Sequence, residues 1–273
     1  MEKVYHVDKV IVINLDHRPD RLEKTLCELK RVGFSDDSIQ RFSAVNGKKL
    51  NLDELPVTTR VYHDLKHNRD NHLSIATMGT IGCYLSHLGV WKKMIAENID
   101  SVLVCEDDLN FVDDFKVRSE ELMRKMVQKH WIDTGMLYLH STTNIPNKDA
   151  FEDTEETGIR KCRDVFGSMA CYRITLDAAR RLAKVAEPIE MQVDAFVSIY
   201  ASNPANHVPL YVAKPDLVKI AVLDLLTGDI QSTCVKCYLP SSTEFYGSTL
   251  VVLLLMFILL IYLTWKAWRC RGT

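Results

Sequence analysis

Three carboxylates stand side by side at Glu106, Asp107 and Asp108, straight after the apolar run Val102 to Cys105. Adjacent negative charges repel each other and resist burial, so they either form a solvated turn or hold a cation and do chemistry. On an extended backbone, side chains two apart share a face. Glu106 and Asp108 therefore converge, and Asp107 turns away. Two hard oxygen ligands with open positions suit Mg²⁺ or Mn²⁺, completed by water and a diphosphate. Such a cation would neutralise the charge growing on a departing nucleoside diphosphate.

Other candidates lie elsewhere in the chain. In INLDHRPDR, residues 13 to 21, a strand gives way to a helix N-terminus. Backbone N–H groups there, with Arg18 and Arg21, suit an anion or nucleotide, and Asn14 and Asp16 suit a base or ribose. The plainer alternative has Asp16 as a cap and Arg21 as the partner of Asp20 or another acid. Gly79, Gly82, Cys83 and Ser86 form a strip of small side chains at helical spacing, approached closely by another backbone or by a flat ligand. His87 follows Ser86, as a structural histidine or as a side chain bordering a cleft. Asp194 is either a helix cap or a carboxylate able to act as general base toward an acceptor hydroxyl. His63 and His67 have the i, i+4 spacing of zinc ligands, with Asp64 and His72 nearby, but no acid–histidine signature surrounds them.

Stepping outward, alternating elements must position these groups. Val10 to Leu15 reads as a buried strand, followed by a helix with Pro19 at its start and Gly33 at its end. Ile39 to Val45 reads as a second strand, and 53 to 76 as a long loop or partly helical excursion. Ile81, Leu85, Leu88, Trp91 and Ile95 mark an amphipathic helix over 79 to 97, which delivers the chain into strand 101 to 105. Further helices fit 113 to 129, 176 to 185 and 194 to 200. Strands fit 136 to 140, 165 to 174 and 209 to 213, and 143 to 164 reads as an acidic loop. This alternation predicts an α/β fold with a mostly parallel sheet and helices on both faces. Ligands in such sheets bind beyond the carboxyl ends of the strands, which singles out Asn14 to Arg21 and Glu106 to Asp108.

The chain has 273 residues, 47% hydrophobic and 26% charged, enough for a full core. A net charge of −2 gives no pointer to nucleic acid. The eight cysteines lie mostly in apolar or periodic stretches and read as free thiols of a reducing compartment, with Cys234 and Cys237 a weak CxxC. No glycosylation sequon is present, which agrees with a cytosol-facing domain.

The segments IVINLDHRPDR (11 to 21), FSAVNGKKL (42 to 50), IGCYLSHLGVWKKMI (81 to 95), VLVCEDDL (102 to 109), FGSMACYRITLDAARRL (166 to 182) and PIEMQVDAF (188 to 196) come in an order and spacing that resembles glycosyltransferase family 25. That family includes bacterial lipooligosaccharide β-galactosyltransferases and the galactosyltransferase domains of collagen-modifying proteins. The resemblance implies a GT-A type, Rossmann-like fold over 1–240, a UDP-sugar donor, and Mn²⁺ or Mg²⁺ at the acidic triplet. It implies inverting transfer of a hexose, galactose or glucose, to a hydroxyl of a glycan, lipid-linked or protein acceptor. Carried over by position, Glu106 and Asp108 are the metal pair with Asp107 beside them, and Asn14, Asp16, Arg18 and Arg21 line the nucleotide end. Ser86 and His87 border the cleft, and Asp194 is the base. Met169 stands where many members carry histidine, and residues 228 to 230 read GDI where Ser-Asp-Ile is usual. The competing expectation is a degenerate glycosyltransferase fold kept as an interaction module. A nucleotidyltransferase would want a Gly-rich phosphate loop with a lysine after the first strand, and HRPDR is a poor match.

The start, MEKVYHVDKVIVINLD, lacks the pattern of a signal peptide. From Phe245 to Trp265 no residue is charged, and Trp268, Lys266, Arg269 and Arg271 flank the run. The expectation is a transmembrane helix at 245–268 with a short basic tail at 269–273. It makes the chain a single-pass, C-terminally anchored membrane protein with its catalytic domain facing the cytosol.

Overall fold

The protein was analysed as a computed structural model that describes residues 7–67, 73–131, 133, 135–141 and 150–220. The chain divides into two compact units, Met1–Thr233 and Cys234–Thr273, and every described residue belongs to the first.

The order of elements is β1 (Lys9–Asn14), α1 (Pro19–Arg31), β2 (Ile39–Ser43), α2 (Thr59–His67), α3 (Met78–Glu97), β3 (Ser101–Cys105), β4 (Leu109–Phe111) and α4 (Phe115–Gln128). There follow β5 (Met136–Tyr138), β6 (Phe151–Asp153), β7 (Ile159–Cys162), β8 (Cys171–Thr175), α5 (Leu176–Val185), α6 (Val193–Ser202), β9 (Leu210–Ala213) and β10 (Val218–Ile220). The main sheet has eight strands in the order β2-β1-β3-β8-β5-β9-β7-β6. Following the pairings, β1, β2, β3, β5, β6 and β9 run one way, and β7 and β8 run against them. The expected α/β alternation is present, with two reversed strands inserted. A short antiparallel ribbon, β10 with β4, lies apart from the main sheet.

Alternation along the strands builds two cores. Ile11, Ile13, Val102, Val104, Tyr138 and Tyr172 face one side, where Ile81, Leu88 and Trp91 of α3, Leu182 of α5 and Val197 of α6 cover them. Val10, Val12, Leu103, Cys105 and Leu137 face the other, against Leu29 of α1 and Phe115, Leu122 and Met126 of α4. Strands β1 and β3 bury both faces, which is why they read as continuous apolar runs.

Helix α3 departs from the one-faced pattern expected of it. Thr80, Gly82, Ser86, His87 and Val90 are buried along with Ile81, Leu88 and Trp91, whereas Leu85 and Ile95 are only partly so. A helix enclosed around most of its girth need not be amphipathic. Its small strip is occupied by backbone: a Cβ on Gly82 would lie 2.5 Å from Val45 O, and one on Gly47 would lie 2.2 Å from Met78 O.

The excursion at 53–76 is partly helical, as expected, and carries α2. The supposed acidic loop at 143–164 is corrected, since it contains the β6–β7 hairpin. The anchoring helix, and the single-pass membrane localisation drawn from it, are not supported: among the described residues no helix is long and apolar enough to cross a membrane. The stretch 245–268, the tail, the Cys234/Cys237 pair, His72 and residues 228 to 230 lie outside the described residues.

Candidate active site

The strand alternation continues into the acidic triplet. Val104 faces the α3 side and Cys105 the α1 side, so Glu106 belongs to α3 and Asp107 to α1. Glu106 Oε1 lies 3.3 Å from His87 Nε2 of α3. Asp107 is buried and accepts from Asn14 Nδ2 at 2.7 Å and from Arg21 Nη1 of α1 at 3.3 Å. Burial raises the Asp107 carboxyl above its usual range, with the Asn14 and Arg21 contacts working against that. Asp108 stands in the bend after β3; burial is the main influence that pushes the Cys83 thiol well above its usual range, and the charges of Glu106, Asp194 and Asp108 add to it.

A cavity of about 100 Å³ opens here, lined by Thr80, Cys83, Glu106, Met169, Gln192, Val193 and Asp194. Residues from α3, the carboxyl end of β3, the segment before β8 and the start of α6 therefore meet at one point. Asp194 sits in the first turn of α6, one residue inside the helix, so it is not the cap. Its Oδ2 accepts from Ser168 N at 3.2 Å and its Oδ1 from Ala195 N at 2.8 Å. Burial raises the Asp194 carboxyl, these backbone donors oppose the rise, and the Glu106 charge adds to it. Ser168 takes φ = +91°, a left-handed value that a side chain adopts only at a cost. That bend aims its N–H at Asp194.

His87 is buried and does not line the cavity; it acts through Glu106. Its Nδ1 is 3.0 Å from Tyr172 Oη, which accepts from Trp91 Nε1 at 3.1 Å. Indole nitrogen only donates, and an ionised carboxylate only accepts. The His87 tautomer that donates from Nε2 to Glu106 accepts from the Tyr172 hydroxyl at Nδ1. In that tautomer the bonds run one way, Trp91 to Tyr172 to His87 to Glu106.

The residues carried over to the nucleotide end are each engaged by partners within the protein. Asn14 is buried; its Nδ2 also donates to Arg18 O at 2.8 Å, and its Oδ1 accepts from Arg41 Nε at 3.0 Å. Asp16 accepts from Arg41 Nη2 at 2.6 Å and Ser43 Oγ at 2.7 Å, and its carboxyl is held below the usual range by those two bonds. Arg18 forks onto Asp20 at 3.1 and 3.0 Å. Ser86 is buried, donates to Gly82 O at 2.7 Å and accepts from Val45 N at 2.9 Å. It ties α3 to the loop after β2. The rings of His63 and His67 lie 4.8 Å apart on α2, tilted by 40° to one another.

Sequence reasoning passed over Thr80, Gln192 and Tyr172, and gave Cys83 only a place in the small strip. Cys83 was findable, since it lies one helical turn from His87. Met169, noted as a departure from family pattern, lines the cavity and accepts from Tyr138 Oη at 2.7 Å.

Glycosyltransferase family 25 (LPS biosynthesis protein) matches residues 7–197. Procollagen galactosyltransferase 1-B of Xenopus laevis is 32% identical over 253 residues, 87% of this chain and 38% of that protein. Inactive glycosyltransferase 25 family member 3 of Homo sapiens is 30% identical over 232 residues, 81% of this chain and 36% of the relative. A glycosyltransferase 25 family member of Drosophila pseudoobscura pseudoobscura is 28% identical over 248 residues, 87% and 37%. The chain spans a little over a third of the length of these relatives. The family match runs from ahead of β1 into α6, so it takes in the acidic triplet, the Cys83–His87 turn and Asp194 together. The chain belongs to glycosyltransferase family 25.

Proposed function

We propose that this chain is a glycosyltransferase that moves a hexose, galactose or glucose, from a UDP-sugar to a hydroxyl of a glycan, lipid-linked or protein acceptor. The observation that carries the reading is the meeting of Glu106 and Asp194 on one cavity, at the carboxyl end of β3. Asp194 takes the proton of the acceptor hydroxyl. The acceptor oxygen forms its bond to the anomeric carbon as the bond to UDP breaks, and the sugar is inverted. Ser168 N holds Asp194 in place, and the His87 relay holds Glu106.

Glu106 is partly exposed to the cavity, and the carboxylate of Asp108 follows two residues later. That hard-oxygen donor set fits Mn²⁺ or Mg²⁺. When bound, such a cation offsets the charge appearing on the departing diphosphate. Galactose has the support of relatives named procollagen galactosyltransferase, such as those of Danio rerio and Mus musculus.

A second reading draws on the human relative named inactive: the same fold kept without turnover. One assay separates the two. The full chain is incubated with a panel of UDP-sugars and acceptors, with and without Mn²⁺, and UDP release is followed. Asp108→Asn should lose metal-dependent turnover while its melting temperature stays near that of the parent. Asp194→Asn should lower kcat on the order of 10²- to 10⁴-fold. No turnover with any donor, together with no nucleotide-induced rise in melting temperature, overturns the enzyme reading.

A further inference from the structure

Cys83, His87 and Glu106 bring one sulfur, one imidazole nitrogen and one carboxylate oxygen within 4.8 Å of one another. The proposed transfer leaves the thiol without a role. We propose that these three residues form a binding site for a single soft divalent cation of the zinc class, which shares Glu106 with the proposed hard-cation pair but draws its sulfur and nitrogen ligands from α3.

The geometry argues for it at each ligand. Cys83 and His87 are one turn apart on α3, so their side chains share a face of a rigid helix. His87 Nε2 and Glu106 Oε1 are 3.3 Å apart, which matches the edge of a tetrahedron with metal–ligand bonds of about 2.0 Å. The far ring nitrogen of His87 meets Tyr172 Oη at 3.0 Å, and a polar contact of this kind fixes the ring in protein metal sites. When a cation takes Nε2, that nitrogen gives up its proton, and Nδ1–H donates to the Tyr172 oxygen.

Chemistry then selects the ion. Thiolate with imidazole favours Zn²⁺ over Mg²⁺ or Mn²⁺, which prefer all-oxygen shells. Burial first, then the charges of Glu106, Asp194 and Asp108, hold the Cys83 thiol well above its usual range, and a bound cation would offset both. The cavity volume of about 100 Å³ beside Cys83 and Glu106 leaves room for a water as fourth ligand, since one water needs roughly 10–15 Å³. Three protein ligands and one open position is the form of a reactive zinc site rather than a closed structural one.

Cobalt(II) is the probe, because a thiolate bound to it gives a near-ultraviolet charge-transfer band. The titration uses the full chain carrying Cys234→Ser and Cys237→Ser, which removes the CxxC pair as a second thiol site. A band that saturates at one equivalent of Co²⁺, is displaced by Zn²⁺ and vanishes on adding Cys83→Ser is the expected result. No band, or an unchanged band with Cys83→Ser, overturns the proposal. Should Cys83→Ser fail to fold, Glu106→Gln carries the test: the band stays and affinity drops on the order of tenfold or more, and unchanged affinity overturns the site. The readout needs no donor, acceptor or turnover. A silent transferase assay therefore leaves this site standing, and a silent cobalt titration leaves the transferase reading standing.

Discussion

At the residue scale the acidic triplet divides its labour. Glu106 faces the cavity, while Asp107 is bonded to Asn14 and Arg21 beneath it. Asp107 serves two donors with two oxygens, and an amide offers only one acceptor. Asp107→Asn should therefore destabilise the fold by about 2 kcal/mol, seen as a melting temperature lower by roughly 4–8 °C. The Arg21–Asp107 pair is buried on both sides, so solvent and salt screen it little. An unchanged melting curve would show that this pair contributes nothing net. Alternation alone made Asp107 the odd one out of three. Its destination was not legible, because Asn14 and Arg21 come from elements more than eighty residues away.

At the element scale the packing of α3 decides what its glycines tolerate. In an open helix, Gly→Ala stabilises by about 1 kcal/mol. At Gly82 an added Cβ would sit 2.5 Å from Val45 O and 2.9 Å from Gly47 N, both backbone atoms that cannot swing aside. Overpacking of this kind costs about 1–3 kcal/mol and reverses the sign. Gly82→Ala should lower the urea midpoint, and a raised midpoint would show that the loop after β2 yields. The sequence announced α3 by the helical spacing of Ile81, Leu85, Leu88, Trp91 and Ile95, although the helix is buried on more than that one face. Helix α5 keeps its expected bounds, Leu176–Val185. The β6–β7 hairpin stayed hidden for a physical reason. In strands of three and four residues only Phe151, Ile159 and Cys162 are buried, too few to set up a period of two. The cavity was legible only in part. Glu106 and Asp194 carried charge that demanded an explanation, whereas Thr80, Met169 and Gln192 gain their meaning from folding alone.

At the scale of the whole molecule, the β4–β10 ribbon is joined to the main sheet through Asp216. Its Oδ2 accepts from His140 Nδ1 at 3.0 Å and Ser141 N at 3.2 Å, and its Oδ1 from Lys214 Nζ at 3.0 Å. Burial pushes the Asp216 carboxyl up, but His140 and Lys214 outweigh it and the net shift is downward. A depressed carboxylate adds stability above the unfolded value of about 3.9, and that stability is lost as pH falls through the lower folded value. Asp216→Asn should therefore reduce the melting temperature at pH 7, with the gap to the parent closing below about pH 4. A gap that does not change with pH would trace the loss to packing instead. The sheet itself has a further consequence. Because its two faces carry separate cores, neighbouring letters of one acidic word answer to different halves of the protein. On the proposed reading, a lesion at Asp107 would show in the melting curve, and one at Glu106 or Asp108 in the transferase assay. Variation at the middle letter and variation at the outer letters would then be separable traits, although the three codons are contiguous.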